Sequence, residues 1–281
     1  MIKKDFSINI PNEGRVLRAR LTCSQKTIAE LQQLVIIATG LHSHMDKDSQ
    51  RNLAETYQKA GFSTLQFNFM GHGKQQNQSD GKLEALTLSS SVDDLKAVWN
   101  YAKSLSSLIN TSNIAITANS YGALVSLLAL EEKIISPESM ALTAPFSLEK
   151  FKPWILPLGL IEKLLPNKVA QFLKLPISSP MLKDFLKNHT NAISKKNLLG
   201  NTAVHFFVGS KDKLSSHKDI KKWCKKFNAE TPENIEFVDN IQAHYMVYED
   251  VPHFEIPEVV WNDMKHRAID FIKKTRLIRS R

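Results

Sequence analysis

The stretch that most constrains this chain is Ile114-Ala115-Ile116-Thr117-Ala118-Asn119-Ser120-Tyr121-Gly122. In it an apolar run of strand character meets the apolar helical run from Ala123 to Glu132 with no residues left over for a loop. A strand can pass into a helix that abruptly only through a strained corner, and the residues flanking the corner must be small because both elements crowd there. Ala118 and Gly122, two before and two after Ser120, meet that demand. A small residue followed by x-Ser-x-Gly arises easily by chance, since glycine makes up about 7% of average sequence. Its placement between strand and helix is what makes it informative. The corner implies a buried sheet with helices packed on it, and a serine hydroxyl presented at the end of one strand.

The rest of the chain supplies such a sheet. Phe6 to Ile10 and Val16 to Leu21, separated by Pro11-Asn12-Glu13-Gly14, read as an antiparallel hairpin. Leu34 to Ala38 is a continuous apolar run, as expected of a strand buried on both faces. A helix from Gln50 to Ala60, stopped by Gly61, leads to a strand from Phe62 to Phe69 and then to a polar surface loop from Gly71 to Gly81. Val92, Leu95, Trp99 and Ala102 recur at three and four residues and define one face of the next helix. Strands follow the serine corner near Met140 to Thr143, Val204 to Val208 and His244 to Tyr248, and a helix from Glu258 to Lys273 ends the pattern. Alternation of this kind predicts an α/β architecture, a mostly parallel sheet with helices on both faces. Between Pro145 and Gly200 it gives way to short Leu-rich helices, Leu160 to Leu165 and Val169 to Leu173 among them. That stretch, residues 146–200, is too short to bury a good core alone, so it reads as a small helical cap inserted into a single domain spanning 1–281.

Composition narrows the class. With 42% hydrophobic and 23% charged residues the chain is ordinary globular protein, so disordered and fibrous readings fail. Cys23 and Cys224 have neither disulfide-scaffold nor metal-ligand spacing, which fits a reducing, cytoplasmic compartment. Residues 1–11 alternate polar with apolar and lack the apolar core of a secretory signal. The most apolar window, Pro153 to Ile161, is far short of the roughly 20 residues that span a bilayer, so no transmembrane segment is expected. The net charge of +9 is spread over many lysines without a recognition helix or RNA-binding signature, which argues against nucleic acid. It fits attraction of an acidic carrier protein or an anionic headgroup.

On the serine corner, the chain resembles the α/β-hydrolase family, in particular its esterases, acylglycerol lipases and the bacterial acyl-transferase thioesterases of bioluminescence. Thr39-Gly40-Leu41 is similar to the family's His-Gly-x segment, with Thr39 in place of His. Phe67-Asn68-Phe69-Met70-Gly71-His72-Gly73 is similar to its Asp-x-x-Gly-x-Gly segment, with Asn68 in place of Asp. The resemblance implies Ser120 as nucleophile, followed in chain order by an acid and a histidine. Asp212, in Gly209-Ser210-Lys211-Asp212 after a late strand, is the expected acid. His253 stands between the last strand and the last helix, where the family's histidine belongs; His244 lies earlier, at a strand start, where histidines are more often structural. The interval from Asp212 to His253 is long for the family, and an extra helical segment around Pro232 to Ile241 would account for it.

Backbone N–H groups of Leu41 and Tyr121 are the implied oxyanion donors. The implied activity is hydrolysis of a carboxylic ester or thioester of a small molecule through an acyl-serine, with neither metal nor organic cofactor. A metal at His42, His44 and Asp46 competes with the oxyanion-loop role of that segment. A silent binding module, or an acyltransferase using the same residues, would carry the same signature.

Overall fold

The computed structural model describes residues 2–10, 13–23, 33–106, 110–146, 179–185, 187, 198–229 and 238–279. Eight strands form one sheet: β1 (Ile2–Ile10), β2 (Arg15–Cys23), β3 (Gln33–Ala38), β4 (Ser63–Phe67), β5 (Asn110–Asn119), β6 (Ser139–Thr143), β7 (Ala203–Gly209) and β8 (Ala243–Tyr248). Their order is β1-β2-β4-β3-β5-β6-β7-β8. β1 and β2 pair antiparallel as the hairpin expected from sequence, β2 joins β4 antiparallel, and every later pair is parallel. This is the α/β-hydrolase fold.

Burial follows strand position. β2, near the edge, alternates buried with half-buried residues over its first four positions and is buried from Ala19 to Thr22, whereas every residue of β3 and β4 is buried. A central parallel strand has helices over both faces, so neither face can be polar. The helices are α1 (Asp48–Lys59), α2 (Leu88–Ser104), α3 (Tyr121–Glu131), α4 (Ser179–Asp184), α5 (His217–Ala229) and α6 (Glu258–Arg279). α1 and α6 share one core with Val35, Ile37 and Phe207, while α2, α3 and α5 share the other with Ile36, Ile116 and Phe206. α3 lies deepest: its residues 121–130 are all buried. α2 begins in a capping box, in which the Thr87 hydroxyl accepts from the Ser90 N–H at 3.0 Å and the Ser90 hydroxyl accepts from the Thr87 N–H at 3.0 Å.

Of the expected cap, only short pieces are described. α4 is one, with Met181 and Leu182 buried and the Asp184 carboxylate accepting from the N–H and hydroxyl of Ser89 at 2.8 and 2.7 Å. Leu160 to Leu165, Val169 to Leu173 and the apolar window Pro153 to Ile161 lie outside the described residues. So does most of the expected helical segment before β8, of which a 3₁₀ turn at Val238–Asn240 is described. Among the described residues no helix is long and apolar enough to cross a membrane.

The chain runs outward from β3 to β4, returns to β5 beside β3, and then proceeds through β6, β7 and β8 in the other direction. Ligand sites in such sheets form where the order reverses, outside the carboxyl ends of the strands. Here that point lies between the ends of β3 and β5, at Gly40 and Ser120.

Candidate active site

Ser120 occupies the corner with φ 50° and ψ −113°, a backbone that L-residues rarely adopt. Its N–H donates to the Thr143 carbonyl at 2.8 Å, tying the corner to the neighbouring strand end. Two residues on, a Cβ at Gly122 would stand 2.5 Å from both the Ala38 and the Thr39 carbonyl oxygens. No side chain fits there, so the start of α3 presses directly on the end of β3. The sequence requirement for a small residue at 122 is thus a contact between two backbones.

From the loops after β7 and β8, His253 reaches Ser120 and Asp212 reaches His253. The Ser120 Oγ lies 2.8 Å from His253 Nε2, and His253 Nδ1 lies 2.8 and 3.0 Å from the Asp212 Oδ2 and Oδ1. Asp212 Oδ1 also accepts from the Leu214 and Ser215 N–H groups at 2.8 and 2.7 Å, which fixes the carboxylate plane. The Asp212 side chain is fully buried and that of His253 only 4% exposed, so water competes little for these bonds. A carboxylate only accepts, so Nδ1 carries the ring proton and Nε2 is left to accept from the serine hydroxyl.

The two loops that carry acid and imidazole are braced against each other. A Cβ at Gly209 would fall 1.9 Å from the Val251 carbonyl oxygen, so the loops meet at backbone distance. Lys211 N–H donates to that same oxygen at 3.1 Å, and Asp250 N–H donates to the Ser210 hydroxyl at 2.8 Å. These contacts span the long interval between Asp212 and His253. His244 is placed elsewhere: it sits near the amino end of β8, where Nε2 contacts the Val238 and Ile241 carbonyls at 3.1 and 2.9 Å and the ring stacks on His205.

Leu41 and Tyr121 flank the serine. Tyr121 is the first residue of α3, so its N–H is among those with no acceptor inside the helix. Its ring is buried, with the hydroxyl 2.6 Å from Ser91 Oγ and 3.2 Å from the Thr87 carbonyl. Leu41 follows Gly40, where a Cβ would lie 3.5 Å from Ser120 Cβ. Both line one cavity with Ser120 and His253, whose other walls include Leu88, Leu124, Phe146, Met181, Phe185 and Phe254. No aspartate or glutamate is among the described residues lining it.

Sequence reasoning noted Asn68 as a departure and missed what it does. Asn68 is fully buried; its Oδ1 accepts from the Met45 N–H at 2.8 Å and its Nδ2 donates to the Asn77 carbonyl at 2.7 Å. An aspartate would keep the first bond and lose the second. Asp46 likewise has partners, Arg20 at 2.9 Å and Asn77 Nδ2 at 3.0 Å, and is thereby committed to holding the loop after β3. Among the described residues no group of three His, Cys, Asp or Glu side chains is arranged to hold a metal ion.

The fold and the serine corner together make this chain a serine hydrolase of the α/β-hydrolase superfamily. More narrowly, the model of the Hydrolase_4 family, described as serine aminopeptidase, S33, matches residues 29–197, and the chain belongs to that family. No curated protein matches it in sequence. Among solved structures it is similar to the esterase Pf2001 of Pyrococcus furiosus, with TM-score 0.69 and 21% identity over 98% of this chain and 91% of that one. Est1E of Butyrivibrio proteoclasticus, solved with ferulic acid bound, gives TM-score 0.68 and 18% identity over 95% of this chain and 99% of the other. GrgF, an α/β hydrolase from Penicillium sp. sh18, gives TM-score 0.68 and 16% identity over 98% and 99%.

Proposed function

We propose that the protein hydrolyses carboxylic esters or thioesters with apolar acyl groups through an acyl-serine intermediate. The observation that carries this reading is the unbroken chain from Ser120 Oγ through the His253 ring to the Asp212 carboxylate. His253 Nε2 takes the hydroxyl proton as Ser120 Oγ attacks the acyl carbon; the imidazolium so formed is stabilised by Asp212. Negative charge on the former carbonyl oxygen is met by the Leu41 and Tyr121 N–H groups. His253 then returns its proton to the leaving alcohol or thiol, and water, deprotonated by the same ring, releases the acid.

The walls of the cavity support an apolar acyl group, because leucine and phenylalanine side chains offer it surface and little else. The scope extends to encounter with an acidic carrier or headgroup: Lys218, Lys221, Lys222 and Lys225 are exposed on α5, which begins five residues after Asp212.

A series of p-nitrophenyl esters tests the reading. Turnover is expected to rise from acetyl to longer acyl chains, to fall about 10⁴-fold in Asp212→Asn, and to vanish in Ser120→Ala. A steady fall from acetyl upward would exclude the apolar acyl site. Undiminished turnover in Ser120→Ala would exclude the nucleophile.

A further inference from the structure

His72 belongs to the segment that leaves β4, is only 3% exposed, and has no part in the chemistry described above. Its Nδ1 lies 3.0 Å from the Met70 carbonyl oxygen, and its Nε2 lies 3.2 Å from the backbone nitrogen of His42. A carbonyl only accepts and a backbone N–H only donates, so the two partners select one state of the ring: Nδ1 protonated and donating, Nε2 bare and accepting. Burial acts the same way, holding the imidazole below its ordinary basicity. The ring is further fixed by edge contacts running from Tyr121 to Phe69 and from Phe69 to His72, with centroids 5.8 and 6.1 Å apart.

What this ring holds is the turn beside Ser120. Ser43 N–H donates to the Gly40 carbonyl at 3.0 Å, which makes Leu41 and His42 the two central residues of a tight turn. His42 has φ 60°, whereas Leu41 is not among the residues of positive φ. A negative φ followed by a positive one is the pattern of a type II turn, whose third position favours glycine. A histidine there is strained, and such strain persists only where the surroundings impose it. The related type I turn avoids the strain by turning over the peptide between the two central residues. That peptide carries the Leu41 carbonyl and the His42 N–H, and the latter is the group that His72 Nε2 engages.

We propose that His72 is a positioning residue: by accepting from the His42 N–H it fixes the peptide that follows Leu41, and so holds in one form the strained 40–43 turn that carries the Leu41 N–H beside Ser120. This rests on the assignment of Ser120 and Leu41 above. His72 never touches substrate. It acts through the turn, so its loss should appear in the rate of the chemical step and leave binding of the apolar acyl group alone.

Two conservative variants separate the two bonds of the ring. His72→Gln places an amide oxygen near the Nε2 position and can still accept from His42. His72→Asn reaches only the Nδ1 position and can still serve Met70. With p-nitrophenyl butyrate, kcat of His72→Gln is expected within about fivefold of wild type and that of His72→Asn lower by about 30- to 100-fold, at KM values within twofold of each other. Melting temperatures of the two variants provide the check on folding. Equal kcat in Gln and Asn variants of an active protein, a loss carried by KM, or a kcat that merely follows melting temperature would each overturn the role of His72 alone. A wild type that turns over no ester would overturn the underlying assignment of Ser120.

Discussion

Two pieces of backbone meet at Ser120, and they are held in different ways. The corner at 118–122 is fixed by crowding: Gly122 presses on the carbonyls of Ala38 and Thr39, and helix α3 behind it is buried along its length. The turn at 40–46 is fixed by polar bonds from distant residues, with His72 reaching His42, Asn68 reaching Met45, and Arg20 and Asn77 reaching Asp46. The first of those supports lies beside a buried charge: Met70, whose carbonyl accepts from His72, donates its N–H at 2.8 Å to Asp94 on α2, which pairs with Arg15 at 2.5 Å. Steric support tolerates almost no substitution and is independent of solution conditions. Polar support tolerates replacement as long as donors and acceptors still match.

The largest expected effect comes from the charge beneath the turn. Arg15→Met keeps the aliphatic stem and leaves Asp94 buried without its partner, a loss of about 3–5 kcal/mol read from urea unfolding. If that variant unfolds like wild type, the turn does not depend on the ion pair. At the corner, Gly122→Ala should lower kcat/KM about 100-fold through displacement of Ser120 by a fraction of an ångström, measured with p-nitrophenyl esters. A near-normal rate there would mean that the two backbones can part.

A separate acid sensitivity is expected from His205, which belongs to neither region. His205 stacks on Phe207 and meets Phe271 edge-on, and burial, reinforced by His244 and Arg267, pushes its pKa down to about 3. The unfolded chain binds a proton near pH 6.5 that the folded one refuses, so stability falls as pH drops below 6.5 toward 3. Between pH 7 and pH 5 the loss amounts to about 2 kcal/mol, and His205→Phe should remove most of it in urea titrations at the two values. That variant also allows corner and turn to be compared in acid without global unfolding. The smallest effect is set for Asn68→Asp, which opposes an added acceptor to the Asn77 carbonyl and should reduce kcat/KM about tenfold. No reduction would show that the Asn77 bond is dispensable.

The same contrast explains which parts of the site are legible in the sequence. The corner is a local pattern: strand, small residue, Ser120, Gly122 and helix are contiguous, and the crowding that requires Gly122 acts within that pattern. Asp212 and His253 follow Ser120 in chain order; in the structure His253 lies against the Ser120 hydroxyl and Asp212 against the far nitrogen of the His253 ring. Asn68 and Thr39 were visible only as departures. What Asn68 does depends on carbonyl 77 and amide 45, which no periodicity brings together. His72 gave no signal at all, because a histidine between two glycines in a polar loop looks exposed. Element ends slipped for related reasons. β5 begins at Asn110, four residues before its apolar run, because pairing with Gln33 needs only backbone. α6 continues to Arg279 past the last apolar spacing read from sequence.

Mass spectrometry of the protein treated with a fluorophosphonate tests the acyl-serine claim most directly. The expected result is one phosphonyl adduct on the peptide containing Ser120, abolished in Ser120→Ala and strongly slowed in His253→Ala. An unlabelled wild type that is folded and soluble, or an adduct that persists in Ser120→Ala, would contradict it.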